Sequence, residues 1–135
     1  MTLLVPAYNE EVTICESINS LLRLRYPSFE IVICNDGSKD KTVDVLLRQF
    51  HFVRAEIDYD AQLACAKIRG FYEVRGPLPP GLRRLVLIDK ENGGKADALN
   101  AAINVAQGEF VTSMDADSLL TPDALLLAAR PIVDD

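Results

Sequence analysis

A repeated order of elements restricts the fold of this chain most: a short apolar run, then a polar loop, then an amphipathic helix. The runs Leu3–Val5, Glu30–Cys34 and Arg84–Ile88 are each followed along the chain by apolar residues at helical spacing, and a fourth run begins at Phe110. Nearly continuous apolar strands joined by helices are typical of a parallel sheet covered on both faces. We therefore predict an α/β fold with a doubly wound, mainly parallel sheet.

Local signals predict where these elements begin and end. Pro6 is expected to end the first strand, and Asn9 is expected to cap the helix that follows it. Ser38 or Asp40 is expected to cap the second helix. The third helix is expected to end near Gly108. Its predicted buried face consists of Ala96, Leu99, Ile103 and Ala106.

The segment of residues 51–83 lacks this regular order. Phe52–Ile57 and Phe71–Val74 are compatible with strands, and Ala61–Ile68 is compatible with a short helix. We interpret the segment as an insertion within a single domain that spans residues 1–135.

Charge, hydropathy and cysteine usage argue against several classes of function. Fourteen basic and twenty acidic residues give a net charge of −6, which argues against a nucleic-acid-binding face. No apolar stretch reaches the ~18–20 residues that cross a bilayer, so we expect membrane contact only through segments absent from this chain. Cys15, Cys34 and Cys65 are widely spaced and suit reduced core thiols better than disulfides.

The two ends of the chain also carry a prediction. The sequence starts almost directly in a strand at Thr2 and finishes in a helix predicted from Asp123 to Val133. We therefore expect this chain to be a truncated piece of a longer protein.

Two carboxylates, Asp115 and Asp117, follow the fourth apolar run, which we predict to be a buried strand. Open α/β sheets bind their ligands at the carboxyl ends of the strands. Close carboxylates repel each other unless a cation lies between them, and hard oxygen ligands favour Mg²⁺ or Mn²⁺. The alternative is an acidic loop that only caps the following helix.

Three other strands are predicted to end in polar loops, at Pro6–Glu10, Asn35–Asp40 and Asn92–Lys95. Glycines in the last loop expose backbone N–H groups at a helix start, and Lys95 adds a positive charge, which predicts an anion site. Taken singly, each loop is also compatible with an ordinary strand-to-helix connection. In a parallel sheet all of them emerge along one edge, where Tyr8 offers a flat surface for a base. Together they predict a site for a metal-bound nucleoside diphosphate.

In order and spacing, these motifs resemble those of the family 2 glycosyltransferases. The motifs are Pro6-Ala7-Tyr8-Asn9-Glu10, Asn35-Asp36-Gly37-Ser38, Asn92-Gly93-Gly94-Lys95, Ala98-Leu99-Asn100 and Asp115-Ala116-Asp117. The resemblance implies a GT-A fold whose amino-terminal half binds a nucleotide-diphosphate sugar, usually a UDP-sugar, for inverting transfer to a glycan or other hydroxyl acceptor. The run from Asp89 to Asn100 further resembles membrane-anchored members that build polysaccharides, which implies a location at the cytoplasmic side of the membrane.

The same resemblance assigns the site residues. Those that would contact the nucleotide sugar are Pro6, Ala7, Tyr8, Glu10, Asp36, Gly94, Lys95 and Asp115. Asp117, with Asp115, would coordinate Mn²⁺ or Mg²⁺. In the family the catalytic base and the acceptor half lie beyond the region matched here, so we expect the isolated chain to bind nucleotide without transferring sugar.

Two alternatives stay open at this stage. One is a nucleotide-binding module that retains the fold without catalysis. The other is a phosphotransferase of the haloacid-dehalogenase type, with Asp115 as the nucleophile. That pattern expects Thr or Val where Leu119 stands, and it normally lies on the first strand.

Overall fold

Residues 1–120 and 122–124, the part of the chain that this computed structural model describes, form a six-stranded sheet with helices packed on it. The elements are β1 (Thr2–Ala7), α1 (Ile14–Leu22), β2 (Phe29–Asp36), α2 (Thr42–Phe50), β3 (Phe52–Ala55), β4 (Ile68–Val74), β5 (Leu82–Lys90), α3 (Lys95–Val105) and β6 (Val111–Ser113). In space the strands follow the order β3-β4-β5-β2-β1-β6. β5, β2, β1 and β6 are parallel, whereas β3 and β4 are antiparallel to their neighbours. The predicted α/β fold is confirmed, while the helix predicted from Asp123 to Val133 lies mostly outside the described residues.

Helices cover both faces of the sheet, as the apolar strands predicted. On one face, α1 and α2 pack Ile14, Ile18 and Leu46 into a cluster with Ile31 and Leu85 of the sheet. On the other face, α3 packs against β1, β2 and β5. Each fully buried Ile or Leu side chain contributes about 1.5–3 kcal/mol. Every residue of β2 is buried, because this strand lies in the middle of the sheet and is covered on both faces.

The buried face of α3 differs from the predicted one. Ile103, which we expected to face the sheet, is 39% exposed. The residues that pack on the sheet are Ala98, Ala101, Ala102 and Val105. The predicted and the observed buried residues both repeat with the helical period, so periodicity alone does not show which set faces the sheet. Small side chains let the helix lie close to the sheet, and the helix ends at Val105, before the predicted stop at Gly108.

Pro6 does not end β1, contrary to the prediction. Proline has no N–H, but no neighbouring strand of the described sheet offers an acceptor for an N–H at this position. The N–H of Thr2 donates to the carbonyl of Phe110, and the carbonyl of Leu4 accepts from Met114, both at 2.8 Å and both toward β6. Backbone groups alternate in direction along a strand, so the nitrogen of Pro6 also points toward this side. Because β6 pairs only with residues 2–4, the proline removes no hydrogen bond from the sheet.

The loops after β1 and β2 hydrogen-bond to each other, which changes the predicted helix caps. The Oδ1 atom of Asn9 accepts from the N–H of Lys39 at 2.8 Å, and the N–H of Asn9 donates to Ser38 Oγ at 2.9 Å. Asn9 therefore joins two loops instead of capping α1. Asp40 accepts from the N–H of Thr42 at 2.9 Å, so Asp40, and not Ser38, satisfies the start of α2.

Residues 51–83 contribute β3 and β4 to the sheet, although we interpreted them as an insertion. The strands predicted there are confirmed, but the helix predicted over Ala61–Ile68 is wrong. This stretch is an irregular loop that lies along α3. The N–H of Leu63 donates to Asn104 Oδ1 at 3.0 Å, and Asn104 Nδ2 donates back to the Leu63 carbonyl at 2.8 Å. These contacts replace the hydrogen bonds that a helix would make internally.

The strand before the two carboxylates, β6, is exposed, although its apolar sequence predicted burial. It pairs with β1 at the edge of the described sheet, and Val111 is 46% exposed. An apolar run does not reveal whether a strand is central or at an edge, because both kinds of strand contain such runs.

A buried ion pair closes the amino-terminal end of β2 and β5. Arg84 donates through Nε to Glu30 Oε2 at 2.8 Å, and Glu30 is fully buried. Burial raises the pKa of Glu30, but hydrogen bonds from Arg84, the Gln107 N–H and Thr2 outweigh it, so the pKa of this carboxyl lies below its ordinary value. Glu30 therefore stabilises the fold as an ionised group.

Arg84→Met is expected to lower the free energy of unfolding by about 3 kcal/mol at pH 7, because it removes the cation that is hydrogen-bonded to the buried Glu30 carboxylate and leaves it only Arg83, which is more exposed and 4.0 Å away. Urea denaturation followed by circular dichroism measures this change. A loss of only a few tenths of a kcal/mol would show that Arg84 is not the cation on which the buried charge of Glu30 depends.

The contribution of Glu30 to stability also depends on pH. Because its folded-state pKa lies below the ordinary value of 4.5, the contribution is complete above pH 4.5 and is lost as the pH falls through the folded-state pKa. We expect the unfolding free energy of Arg84→Met to fall less over this acid range, because the substitution removes the main cause of the lowered pKa. Urea titrations at several pH values below 5 compare the two slopes, and equal slopes would contradict the assignment to Glu30.

Candidate functional site

A cleft of about 630 Å³ lies at the carboxyl ends of the parallel strands. It is formed by the end of β1, the end of β2, the loop before α3 and the residues after β6. Its lining residues are Pro6, Ala7, Tyr8, Glu10, Asp36, Asn92, Gly94, Lys95, Ala98, Asp115, Ala116 and Asp117. All nine of the site residues proposed from the sequence lie in this cleft. The strand order explains the convergence, because β1 lies between β2 and β6 where the direction of winding reverses.

Asp36, the last residue of β2, holds the loop before α3. Its Oδ1 accepts from the N–H of Gly93 at 2.9 Å and from Lys90 Nζ, and its Oδ2 accepts from the N–H of Gly94 at 2.9 Å. The side chain of Asn92 donates to the Asp36 carbonyl at 2.9 Å and reaches Oδ2 only at 3.4 Å. The second acceptor position of Oδ2 is therefore the least engaged and is the one that suits a ligand donor.

Gly37 allows this loop to approach β2. It has a φ of 66°, and a Cβ atom at this position would collide with the backbone nitrogen of Asn92. The sequence indicated Gly37 only as a turn residue. Its second role, which is to leave room for Asn92, depends on a loop more than fifty residues away along the chain.

Lys90 and Asp97 are functional candidates that we did not infer from the sequence. Lys90 is fully buried at the end of β5 and pairs with both Asp36 and Asp97, the latter at 2.7 Å. Burial lowers the pKa of Lys90, but the hydrogen bonds to the two carboxylates outweigh it and hold the pKa above its ordinary value. The hydrogen bond from Lys90 and that from the N–H of Ala66 lower the pKa of Asp97. The only sequence signal was a lysine directly after a buried strand.

Asp115 and Asp117 are exposed at the mouth of the cleft, and Lys95 Nζ lies 3.0 Å from Asp115 Oδ1. Both side chains of this ion pair are more than half exposed, so it contributes little to stability and is free to exchange partners. Within residues 1–120 and 122–124, no group of three or more His, Cys, Asp or Glu side chains could hold a metal by itself. Two carboxylates nevertheless suit Mg²⁺ or Mn²⁺ in sites where a ligand phosphate and water complete the coordination.

The three cysteines are free thiols, as predicted. Burial raises the pKa of Cys34 to about 12 and raises the pKa of Cys15 and Cys65 by smaller amounts. Because the thiolate is the reactive form, these raised pKa values make cysteine nucleophiles improbable at neutral pH.

Comparison with known proteins agrees with this geometry. The family model described as Glycosyl transferase family 2 matches residues 2–78 and 79–135. The poly-beta-1,6-N-acetyl-D-glucosamine synthase of Staphylococcus epidermidis is 30% identical over 129 residues, which are 92% of this chain and 23% of that protein. The solved structure of the mannosyltransferase PcManGT from Pyrobaculum calidifontis, with GDP-Man and Mn²⁺, has a TM-score of 0.69 and 28% identity over 99% of this chain and 32% of that chain. S. aureus TarS in complex with UDP-GlcNAc has a TM-score of 0.65 and 25% identity over 98% and 31% of the respective chains.

The mainly parallel sheet and its similarity to these structures define an α/β domain of the GT-A glycosyltransferase class. The chain belongs to glycosyl transferase family 2. It spans between 11% and 23% of the length of the curated relatives compared with it. The haloacid-dehalogenase alternative is therefore wrong, and Asp115 and Asp117 follow the last described strand and not the first.

Gly37→Ala is expected to displace Asn92 and to weaken the hydrogen bonds from Gly93 and Gly94 to Asp36. Hydrogen exchange measured by NMR should show faster exchange of these two amides. Gly76→Ala is the matched control, because Gly76 also has a positive φ, of 113°, but a Cβ atom there meets nothing within 4 Å. Equal effects of the two substitutions would mean that backbone strain, and not the contact with Asn92, is responsible.

Proposed function

We propose that this chain binds the nucleotide-sugar donor of a glycosyltransferase, together with a divalent metal ion. The observation that carries the proposal is the meeting of two carboxylates, a lysine and a glycine-rich helix start in one cleft. These groups come from distant parts of the chain, so simple turn chemistry does not explain their convergence. Carboxylates suit a divalent cation, and the Lys95 ammonium suits a diphosphate, whereas the N–H groups of Gly93 and Gly94 are already bound to Asp36.

The relatives support a nucleotide sugar as the ligand. TarS was solved with UDP-GlcNAc, and PcManGT was solved with GDP-Man and Mn²⁺. The two ligands share a nucleoside diphosphate that carries a sugar, which is the chemistry expected of the cleft. We propose a UDP-sugar for this chain on the basis of the motif resemblance. The alternative ligand is a GDP-sugar, and the binding experiment distinguishes the two.

Each lining residue has a proposed role that follows from its chemistry. Tyr8 is 43% exposed and offers a flat surface to the base, while the less engaged position of Asp36 Oδ2 accepts a hydrogen bond from it. Lys95 exchanges its exposed partner Asp115 for the diphosphate. Asp115 is then available to the ribose or the metal, and Asp117 to the metal.

The remaining predicted residues line the base end of the cleft. Pro6, Ala7 and Glu10 come from the end of β1 and its loop, and Gly94 comes from the helix start. The N–H of Glu10 donates to Thr42 Oγ1 at 2.9 Å, which fixes this loop against α2. We propose that these residues border the nucleoside and that Lys95, the first residue of α3, lies near the diphosphate.

Mn²⁺ or Mg²⁺ fits the proposed site, because Asp115 and Asp117 are hard oxygen ligands at the mouth of the cleft. When bound, such an ion neutralises charge on the departing diphosphate. Lys95 contributes to the same neutralisation as a fixed positive charge of the protein. The carboxylates orient the donor, and the apolar lining of Pro6 and Ala7 excludes water from one side of it.

For the whole protein we propose inverting transfer of the sugar to a glycan or another hydroxyl acceptor. The synthase of Staphylococcus epidermidis is named for a polysaccharide product, which supports a glycan acceptor. No helix within residues 1–120 and 122–124 has the length and hydropathy to span a membrane. A cytoplasmic location, and attachment of the full-length protein to the membrane, stay predictions.

Calorimetric titration with UDP, with and without Mn²⁺, tests the donor site. We expect Mn²⁺ to tighten UDP binding, and Asp117→Asn to abolish that increase by weakening binding at least about tenfold, or ~1.4 kcal/mol. Asp58→Asn is the matched control, because Asp58 is an exposed acidic residue outside the cleft. If Mn²⁺ still tightens UDP binding in Asp117→Asn, Asp117 is not the metal ligand that we propose.

A titration with GDP in the same buffer separates the two nucleotide classes. Tighter binding of GDP than of UDP would replace the proposed UDP-sugar by a GDP-sugar. Absence of binding by either nucleotide, in a folded protein with Mn²⁺, would contradict the donor-site proposal. The alternative of a binding module without catalysis predicts nucleotide binding but no sugar transfer by the full-length protein.

A further inference from the structure

Lys90 occupies an unusual position for a lysine, because its side chain is fully buried where the end of β2, the start of α3 and the loop before β4 meet. Each of its three donors has an acceptor: Asp36 Oδ1, Asp97 Oδ2 at 2.7 Å, and the carbonyl of Glu91 at 3.0 Å. Burying an ammonium group is costly unless it is paired and hydrogen-bonded in this way. Lys90 does not line the cleft, so any effect on a ligand is indirect.

The first arm of this cluster acts on Asp36, which does line the cleft. Lys90 and the Gly93 N–H share Oδ1, and the Gly94 N–H bonds to Oδ2. These three donors determine the rotation of the carboxylate. Without Lys90, the hydrogen bonds to the glycine amides would be the main remaining restraint, and the carboxylate would face Asp97 without a cation between them.

The second arm passes through Asp97, in the first turn of α3. Its two oxygens accept from the N–H of Ala66, at 3.1 and 2.9 Å. The loop that contains Ala66 continues along α3, where Asn100 donates to the Ala64 carbonyl at 3.1 Å. Lys90 thus joins the end of β2, the start of α3 and the loop before β4 at a single buried point.

A second ion pair on the same two strands offers a comparison. β2 and β5 pair Glu30 with Arg84 at one end and Asp36 with Lys90 at the other. Both pairs join a buried carboxylate of β2 to a cation of β5, and both are expected to stabilise the fold. The Glu30–Arg84 pair lies at the amino-terminal end of the strands, away from the cleft, and none of the residues of that pair lines it.

We propose that Lys90 is a positioning residue for nucleotide binding, which acts by holding the Asp36 carboxylate and the Gly93–Gly94 turn in their binding geometry. Asp97 is its second anchor and transmits the same restraint to the loop at Ala66. This inference rests on the proposed donor-binding function. A purely structural role would not distinguish Lys90 from Arg84, whose pair with Glu30 lies at the other end of β2, away from the cleft.

The experiment compares Lys90→Met with Arg84→Met. We expect Lys90→Met to weaken UDP binding in the presence of Mn²⁺ by about tenfold or more, and Arg84→Met to change it less than about twofold, although both lower stability. Calorimetry gives the affinities, and circular dichroism confirms that the variants are folded at the temperature used. Equal affinities of Lys90→Met and the unsubstituted chain, or an equal loss in Arg84→Met, would overturn the proposal.

A double variant separates electrostatic positioning from loss of packing. Lys90→Met combined with Asp97→Asn removes the cation together with the carboxylate that would repel Asp36. We expect it to bind UDP more tightly than Lys90→Met alone, whereas simple loss of packing predicts equal or weaker binding. Should Lys90→Met fail to fold, Asp97→Asn alone is expected to weaken binding about threefold, and an unchanged affinity would then overturn the proposal.

Hydrogen exchange at Gly93 and Gly94 tests the positioning step without any nucleotide. We expect faster exchange of both amides in Lys90→Met and unchanged exchange in Arg84→Met. Unchanged exchange in Lys90→Met overturns the inference. If the unsubstituted chain does not bind UDP or GDP while exchange changes as expected, the donor-binding proposal has failed and the structural positioning by Lys90 has not.

Discussion

The contact between the buried ammonium of Lys90 and the carboxylate of Asp36 organises the end of the sheet where the cleft lies. Two carboxylates, of Asp36 and the partly exposed Asp97, and one ammonium leave an excess of one negative charge at this point. Backbone N–H groups of Gly93, Gly94 and Ala66 point at the carboxylates and stabilise that charge. These hydrogen bonds hold the loop before β4 and the loop before α3 against the two carboxylates, and the cleft lies beside Asp36.

The two ends of the β2–β5 pair show how one kind of interaction serves different purposes. At one end, Arg84 also donates to the Val105 carbonyl at 2.7 Å, and Glu30 accepts from the Gln107 N–H at 2.6 Å, so the charges close off the sheet against the end of α3. At the other end, Asp36 accepts from the start of α3 and borders an open cleft. One helix is thus anchored at both of its ends to the same two strands. At the helix start, the hydrogen bonds from Gly93 and Gly94 to Asp36 give the glycine-rich turn a fixed position relative to β2.

Membership of glycosyl transferase family 2 places these contacts in a chemical context. TarS and PcManGT are only 25% and 28% identical to this chain, yet their backbones superpose over 98% and 99% of it. The buried contacts at Lys90 and the exposed pair of Lys95 with Asp115 have opposite character. The first cannot change without disturbing the fold, whereas the second can exchange partners at little cost. For the proposed ligand, this difference would provide a rigid contact for the base at Asp36 and adaptable groups for the diphosphate and metal at Lys95 and Asp115.

The sequence by itself determined the alternation of parallel strands and helices, the core on both faces of the sheet, and the residues that line the cleft. These follow from apolar runs and strand-end loops, because a run such as Ile31–Ile33 must be buried on both faces, and parallel strands end at one edge. Only the tertiary structure decided which stripe of α3 is buried, that Pro6 stays within β1, and that β6 is exposed. Each depends on parts of the chain that are distant in sequence. The sheet beneath Ala98 decides which stripe of α3 is buried. β6 ends before it reaches Pro6, and its position at the edge of the sheet exposes Val111. The pairing of Lys90 with Asp36 and Asp97 belongs to the same class, because a charge cluster is defined by proximity in space and leaves no periodic pattern in the sequence.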